Sequence, residues 1–262
     1  PEVIHRRPRL TLGQAVVALL EGRLDEVEPL LELAERTSGQ TQDTPYRASI
    51  DRKDSIVANV PAAVAVGRAD LACLRGDAER GAEYGRTAVA HLTDQDELLG
   101  VIARYHLGVA DWLAGRLEQA EQAFVEVVAK RSTSGERHVV LRAGYDLGGV
   151  QQAQGRLSAA LRTYQRQVET AGAPSSVGMA HVGMAKVLYE RDELRAAHEH
   201  ATIGIEQCRR LSYAPPLVDG LLTLARIRHA EGDPLAAAAA IDEAQDVMPQ
   251  AVELRNRIRA IG

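Results

Sequence analysis

Aromatic residues are scarce in this chain, at 3% of its 262 residues, and only two cysteines occur. Cys73 and Cys208 lie far apart, each within a helical pattern, so they form neither a disulfide framework nor a metal-ligand spacing. That cysteine usage is typical of a reducing compartment. No apolar run approaches the roughly 18–20 residues that span a bilayer. We therefore expect a soluble, cytoplasmic protein that makes no contact with a membrane.

Sequence motifs of known catalytic sites are missing as well. The chain contains no G-x-x-x-x-G-K-[ST] phosphate loop, no G-x-S-x-G elbow and no H-E-x-x-H metal motif. His198 and His200 are two residues apart, so on a helix they point about 200° away from each other, and we expect surface histidines rather than metal ligands. The carboxylates of residues 93–97 precede a helical pattern, which is helix-start chemistry. We expect no catalytic residue, no metal and no cofactor held by this chain.

The residues that are abundant favour helices. Alanine, leucine, arginine and glutamate dominate, apolar residues make up 45% of the chain, and Val and Ile mostly recur at helical spacing. We therefore expect almost no β-strand. The net charge of −5 disfavours a nucleic-acid-binding surface as the main role of the chain.

A short phrase recurs through the chain: LEGRLDEVEPLL at 20–31, LAGRLEQAEQAF at 113–124 and AQGRLSAALRTY at 153–164. Its turn residue defines six anchors, which are Gly22, Gly76, Gly115, Gly155, Asp192 and Gly232. The anchors are spaced by 54, 39, 40, 37 and 40 residues, and the longer first gap holds a polar stretch that reads as a loop. An apolar helical pattern lies on each side of every anchor, and a glycine between two helices adopts the left-handed conformation that ends the first. Each unit is therefore predicted to be a helical hairpin, and hairpins must stack to bury their apolar faces.

Small residues recur at fixed distances from the anchors. The residue seven before each anchor is small, at Ala15, Ala69, Gly108, Gly148, Ala185 and Ala225. Nine after the anchor, bulk is supplied by Leu31, Phe124, Tyr164 and Ile241 but not by Gly85 and Ala201. A small residue where two helices cross lets their axes approach closely, so this register predicts tight crossings inside the hairpins.

This spacing is similar to the tetratricopeptide repeat (TPR), although the period here is near forty rather than about 34. The resemblance implies an all-α, right-handed superhelical solenoid of about six antiparallel hairpins, forming a single domain over residues 1–262. We place a first hairpin at 9–36, a loop at 37–55 and further hairpins at 56–92, 97–133, 136–171, 176–211 and 216–247. A terminal helix at 249–261 is either a cap or a truncated repeat. Because the chain begins at Pro1, without a methionine and within a basic stretch, we interpret it as a fragment of a longer protein.

The wording of the repeats resembles the repeat region of MalT-like transcriptional regulators, which are ATP-dependent proteins with a LuxR-type DNA-binding end. The stretches that carry the resemblance are 7–31, 145–166, 184–200 and 216–244. It implies that this chain is a non-catalytic sensor domain, and that ATP and DNA bind to other domains of the parent regulator. By the same resemblance, the effector is a small-molecule inducer, such as a sugar, or a regulatory protein, and effector binding controls self-association and activation of transcription.

In stacked TPR hairpins the first helix of each pair lines the concave face, and the resemblance places groove residues thirteen, ten, six and three before each anchor. The predicted ligand-binding residues are Tyr105, Trp112, Arg142, Tyr145, Gln152, Lys186, Tyr189, Arg226 and His229. Exposed aromatic side chains beside convergent polar groups suit capture of a small molecule or a peptide. The alternative for Tyr105, Tyr145 and Trp112 is that they pack between neighbouring hairpins.

Two other classes of function stay open at this point. A general TPR scaffold would bind a peptide or protein partner, although the Lys and Asn clamp of co-chaperone TPR domains is matched here by Lys186 alone. An enzyme would need acids, bases or metal ligands that converge in the groove, and only Asp219 and His229 approach that requirement.

Overall fold

A computed structural model describes residues 7–38, 55–130, 137–170, 177–210 and 214–247 of the chain. Within these ranges the protein is entirely helical apart from turns, and no strand occurs. The helices are α1 Pro8–Leu20, α2 Leu24–Ser38, α3 Val60–Leu74, α4 Ala78–Ala90, α5 Glu97–Leu113, α6 Leu117–Val128, α7 Arg137–Ala153, α8 Leu157–Thr170, α9 Gly178–Glu190, α10 Leu194–Arg210, α11 Ala214–Ala230 and α12 Pro234–Val247. The predicted all-α fold of six helical hairpins is confirmed.

The chain divides into two compact units, residues 1–140 and residues 141–262, which we call the N-terminal and C-terminal units. The N-terminal unit contains α1 to α6, and the C-terminal unit contains most of α7 and all of α8 to α12. The predicted terminal helix at 249–261 and most of the predicted loop at 37–55 lie outside the described residues. The single domain over 1–262, with its hairpin bounds and the right-handed sense of the superhelix, stays a prediction. None of the helices in the described ranges is both long and apolar enough to cross a membrane.

The six anchors all adopt the left-handed backbone conformation that the repeat register predicts. Their φ values are +71° at Gly22, +78° at Gly76, +75° at Gly115, +72° at Gly155, +61° at Asp192 and +84° at Gly232. Glycine adopts this conformation without steric cost, whereas Asp192 carries a Cβ and adopts it less readily. After the last anchor, Asp233 Oδ1 accepts a hydrogen bond from Ala236 N at 3.0 Å, which caps α12.

The predicted tight crossings occur where bulky rings fill the space beside glycines. A Cβ added to Gly148 would lie 2.2 Å from Cζ of Tyr164, and one added to Gly108 would lie 2.8 Å from Cε1 of Phe124. Tyr164 also fills the space beside Gly183 of the next hairpin, where an added Cβ would lie 2.3 Å from the same Cζ atom. Both rings are fully buried. The small residue and the bulky residue of the repeat are therefore two halves of one packing contact.

The first and second helices of the hairpins differ in burial. First helices such as α9 are buried on most of their surface, whereas second helices such as α6 bury a single stripe of Ala120, Phe124 and Val127. A helix that is apolar nearly all round lies in the interior of a stack, and an amphipathic helix covers its outside. The few polar side chains on first helices are consequently conspicuous.

The start of α5 explains the carboxylates of residues 93–97. Asp96 is the N-cap residue of α5 and is buried. Its Oδ2 atom accepts hydrogen bonds from Thr93 N at 2.9 Å and from Asn59 Nδ2 at 2.8 Å, and Asn59 in turn caps α3. Asp96 stands at the helix start, as predicted, but its side chain makes no capping hydrogen bond to α5. Its carboxylate instead ties two successive hairpins together.

Candidate functional site

A buried hydrogen bond joins the first helices of two hairpins in the C-terminal unit. The Tyr145 hydroxyl on α7 donates to Oδ2 of Asp219 on α11 at 2.5 Å. Only 7% of Tyr145 and 4% of Asp219 is exposed to solvent. A buried carboxylate is costly unless hydrogen-bond donors surround it, so this contact fixes the two side chains in one place.

Lys186 of α9 extends the same cluster. Its ammonium group lies 5.7 Å from the centre of the Tyr145 ring, which is within the range of a cation–π contact. The first helices of three successive hairpins therefore contribute an acid, a base and a phenol to one group of side chains. We call Tyr145, Lys186 and Asp219 the polar cluster.

Other predicted site residues border the polar cluster on α7. Gln152 Nε2 donates to Oε1 of Glu190 on α9 at 3.3 Å, and Gln152 Oε1 accepts from the Tyr164 hydroxyl at 3.3 Å. One turn before the cluster, Arg142 Nε lies 3.5 Å from Oδ2 of Asp146, which is also on α7 and buried. Burial raises the pKa of Tyr164, so its hydroxyl keeps its proton and remains a donor.

The remaining predicted residues of the C-terminal unit are more accessible. Arg226 and His229 are exposed on α11, and Tyr189 is partly buried against the apolar core of the unit. The acids Asp146 and Asp219 are both buried, Glu190 beside Gln152 is exposed, and the bases Arg142, Lys186 and Arg226 are half-buried or exposed. Among these side chains, three accessible bases stand beside one accessible acid.

Tyr105 and Trp112 belong to the N-terminal unit, and their rings pack around Phe124 of the same hairpin. The Phe124 ring lies 5.9 Å from Tyr105 and 6.4 Å from Trp112, centre to centre. The expectation that the aromatic groove residues are exposed is wrong for Tyr105, which is 9% exposed, and for Tyr145; Trp112 and Tyr189 are partly exposed. The part of Tyr105 and Trp112 in ligand binding stays a prediction.

Two features of the C-terminal unit were missed by the choice of site residues from the sequence. Asp219 stands thirteen residues before Gly232, which is a groove position of the register, so its position carried a signal. His200 was expected to be a surface residue, but it is half-buried and its Nδ1 atom lies 2.9 Å from Nδ1 of His181. His198 is also half-buried and lies 3.2 Å from Glu231, in the turn after α11. Cys73 and Cys208 are buried core residues, as predicted.

The accessible side chains near the polar cluster can interact with a ligand through charge and hydrogen bonds. Among the described residues, no group of three or more His, Cys, Asp or Glu side chains is arranged to hold a metal ion. A surface depression of about 430 Å³ is lined by Asp192, Glu193, Leu194, Arg195, Ala196 and Glu199, and it includes none of the predicted groove residues. The polar cluster is not part of that depression; Tyr145 and Asp219 are buried and Lys186 is half-buried.

Known structures share the fold of this chain. NprR in complex with its cognate peptide NprX matches with a TM-score of 0.67 at 12% identity, over 95% of this chain and 69% of that one. The Rap conjugation gene regulator of plasmid pLS20, in complex with the Phr* peptide, matches with a TM-score of 0.62 at 12% identity, over 94% and 74% of the two chains. PilF of Pseudomonas aeruginosa matches with a TM-score of 0.57 at 15% identity, over 95% and 97%. At these identities the likeness shows the fold alone.

The sequence itself identifies the family. No curated protein matches the chain in sequence. The family model of the MalT-like TPR region matches residues 62–261, which is most of the chain and includes every predicted site residue. This protein therefore belongs to the MalT-like TPR family.

Proposed function

We propose that the chain is the non-catalytic sensor of a MalT-like, LuxR-type transcriptional regulator, and that it binds an acidic peptide or protein segment as its effector. The observation that carries this proposal is the polar cluster on α7, α9 and α11. Its three side chains come from the first helices of three successive hairpins, and Lys186 among them is accessible to a ligand. Family membership supports the regulatory role.

A peptide or protein segment fits the face better than a small sugar does. A sugar site needs an enclosed pocket and aromatic rings whose faces are open. Tyr145 is buried, and the depression formed by the described residues lies elsewhere. An extended segment can instead lie along the open side of α7, α9 and α11 and use several contacts. Two proteins with this fold, NprR and the pLS20 Rap protein, are seen with peptides bound, which supports the choice at the level of the fold.

The charged side chains near the polar cluster determine which kind of effector segment binds best. The accessible bases are the guanidinium groups of Arg142 and Arg226 and the ammonium group of Lys186, and Glu190 is an accessible acid beside Gln152. Asp146 and Asp219 are buried, so bases outnumber acids among the accessible groups. Carboxylates of the effector, including its C-terminal one, would form charge-assisted hydrogen bonds with these bases. The effector regulates transcription only if it binds one state of the parent regulator more tightly than the other.

The proposal is tested by selecting linear peptides of random sequence on the intact chain and measuring their affinity by calorimetry. We expect acidic peptides to be enriched, and the double variant Lys186→Met, Arg226→Met to bind them about tenfold or more weakly, since each lost charged hydrogen bond costs about 1.5–3 kcal/mol. Arg195→Gln, on the second helix α10, is the matched control and should bind as the wild type does. Enrichment of neutral peptides, or equal affinity for all three proteins, contradicts the proposal. A panel of mono- and oligosaccharides run alongside tests the small-molecule version.

A general TPR scaffold would use the same face without controlling transcription. The gene that contains this chain distinguishes the two functions. A sensor requires an ATP-binding module and a helix-turn-helix in the same reading frame, and a scaffold requires neither.

A further inference from the structure

Two histidines face each other between the helices of the fifth hairpin. Nδ1 of His181 on α9 lies 2.9 Å from Nδ1 of His200 on α10. The ring centres are 5.1 Å apart and the ring planes differ by 26°. Both side chains are half-buried, so solvent protons can reach them.

The arrangement of the rings identifies the contact as an N–H···N hydrogen bond. The distance between the ring centres is close to the Nδ1–Nδ1 distance plus the two ring radii. The rings therefore meet edge to edge, and the two nitrogens point at each other. Such a contact needs a proton on one Nδ1 atom and a lone pair on the other. If both Nδ1 atoms carry a proton, two N–H groups with like charges point at each other and the contact breaks.

We propose that His181 and His200 form a pH-sensitive contact between α9 and α10, closed while one Nδ1 proton is shared and open when both rings are protonated. The proposal does not depend on the effector, because it concerns the hairpin alone. α9 also carries Lys186, five residues after His181, so opening of the contact would affect the helix that holds one member of the polar cluster.

The surroundings of the two rings set the sign of the pH dependence. Burial lowers the pKa of His181, and so does the neighbouring His200. Burial also lowers the pKa of His200, while Glu199 on the same helix opposes the effect. Both values fall below the ordinary 6.5, so the folded hairpin binds fewer protons than the unfolded chain. Stability from this pair is therefore complete above about pH 6.5 and is lost as the pH falls below that value.

Two titratable groups beside this hairpin have partners of their own. Glu231, in the turn after α11, lies 3.2 Å from His198, and the Tyr164 hydroxyl of α8 donates to the Tyr145 carbonyl oxygen at 3.2 Å. Within the described part of the chain, His200 acts on the pKa of His181, and Glu199 acts on the pKa of His200.

A metal ion is the other known occupant of paired imidazoles, and the geometry disfavours it. A metal bound by both Nδ1 atoms would lie to one side of the line between them, so the lone pairs would have to converge on that point. Here they point at each other, and both rings would have to rotate. The described residues also provide no third His, Cys, Asp or Glu ligand.

The direct test is NMR of the histidine ring nitrogens in the intact chain during a pH titration from 8 to 5. We expect one ring to carry its proton on Nδ1 at pH 8, and the two rings to titrate as a coupled pair, with the second protonation below the usual histidine range. At that second step, the protection of the α9 and α10 amides, measured as their exchange rate relative to the intrinsic rate at the same pH, should fall about tenfold or more. Two rings that titrate independently, or protection that does not change with pH, would overturn the proposal.

Variants separate this pair from other histidines. In His181→Asn, His200→Asn the two side-chain amides can still hydrogen-bond but do not titrate. The protection of the α9 and α10 backbone amides should therefore no longer fall at acid pH. His198→Asn removes a histidine of the same helix and should leave the fall in protection unchanged. Addition of Zn²⁺ at pH 7.5 completes the test. A shift of both ring spectra at a stoichiometric concentration would make the pair a metal site and overturn the proposal, and no shift supports the shared proton.

Discussion

The two units place different kinds of residue at the same repeat positions. The positions thirteen, ten, six and three before each anchor hold, in the N-terminal unit, Arg9, Leu12, Val16, Leu19, Ala63, Val66, Asp70, Cys73, Ile102, Tyr105, Val109 and Trp112. In the C-terminal unit they hold Arg142, Tyr145, Gly149, Gln152, Met179, Val182, Lys186, Tyr189, Asp219, Leu222, Arg226 and His229. The first set is mostly apolar, and one of its two charged members, Asp70, lies 3.5 Å from His106 of the next hairpin. The second set contains the polar cluster together with Arg142 and Arg226, so the same register positions are mostly apolar in one unit and more polar in the other.

The packing contact inside the hairpins is common to both units. Phe124 fills the space beside Gly108 in the N-terminal unit, and Tyr164 fills the space beside Gly148 in the C-terminal unit. The difference between the units therefore lies in the face of their first helices and not in how their hairpins close. The variants below test the packing contact inside the hairpins and the side chains of the first helices separately.

The largest effect is expected where the units are alike. Phe124→Ala and Tyr164→Ala should each lower the free energy of unfolding by about 3–5 kcal/mol, because each leaves a cavity beside a glycine that has no side chain to fill it. Urea unfolding followed by circular dichroism measures the loss. Val125→Ala is the control, since this side chain is half-exposed, and it should change stability by less than about 0.5 kcal/mol. A loss below about 1 kcal/mol for either ring would show that the shared packing contact is not structural.

A smaller effect is expected where the units differ. Tyr145→Phe removes the hydroxyl that donates to the buried carboxylate of Asp219, and it should lower the free energy of unfolding by about 1–3 kcal/mol. Tyr189→Phe, on the partly exposed ring of α9, should change stability by less than about 0.5 kcal/mol. The same urea experiment compares the two. Equal stability of Tyr145→Phe and the wild type would mean that the polar cluster does not hold α7 to α11.

The smallest effect concerns the anchors. All three anchors of the N-terminal unit are glycine, whereas the fifth anchor, Asp192, holds a left-handed φ of +61° with a side chain present. Asp192→Gly should stabilise the protein by about 0.5 kcal/mol, because relief of the left-handed strain slightly exceeds the entropy cost of glycine. Thermal unfolding measures this as a small rise in Tm. Gly155→Asp, the reverse change one hairpin earlier, should lower Tm. A fall in Tm for Asp192→Gly, or a rise for Gly155→Asp, would refute the explanation.

Much of the fold could be predicted from the sequence because the repeat is local. The spacing around Gly115 determined the turn, the small Gly108 and the bulky Phe124, and the structure places all three as expected. The contacts of the candidate site were harder to predict. Tyr145 and Asp219 are 74 residues apart, and a period near forty says which face each lies on but not that they touch. Burial of the Tyr105 ring also depends on Phe124, which no one-helix pattern reveals.

The histidines show the limit of reasoning from one helix at a time. The two-residue spacing of His198 and His200 predicts correctly that they point apart. It does not predict that each meets a partner outside its own helix, Glu231 in the turn after α11 for His198 and His181 of α9 for His200. Pairing across a hairpin depends on how the two helices are aligned, which the turn and the crossing residues set together.

The central claim is that the first helices of the C-terminal unit bind the effector. Hydrogen-exchange mass spectrometry of the intact chain, with and without an acidic peptide selected on it, tests this claim most directly. The account predicts slower exchange in α7, α9 and α11, with α1 to α6 unchanged, and loss of that protection in Lys186→Met, Arg226→Met. Protection confined to the second helices α8, α10 and α12, or to the N-terminal unit, would contradict it.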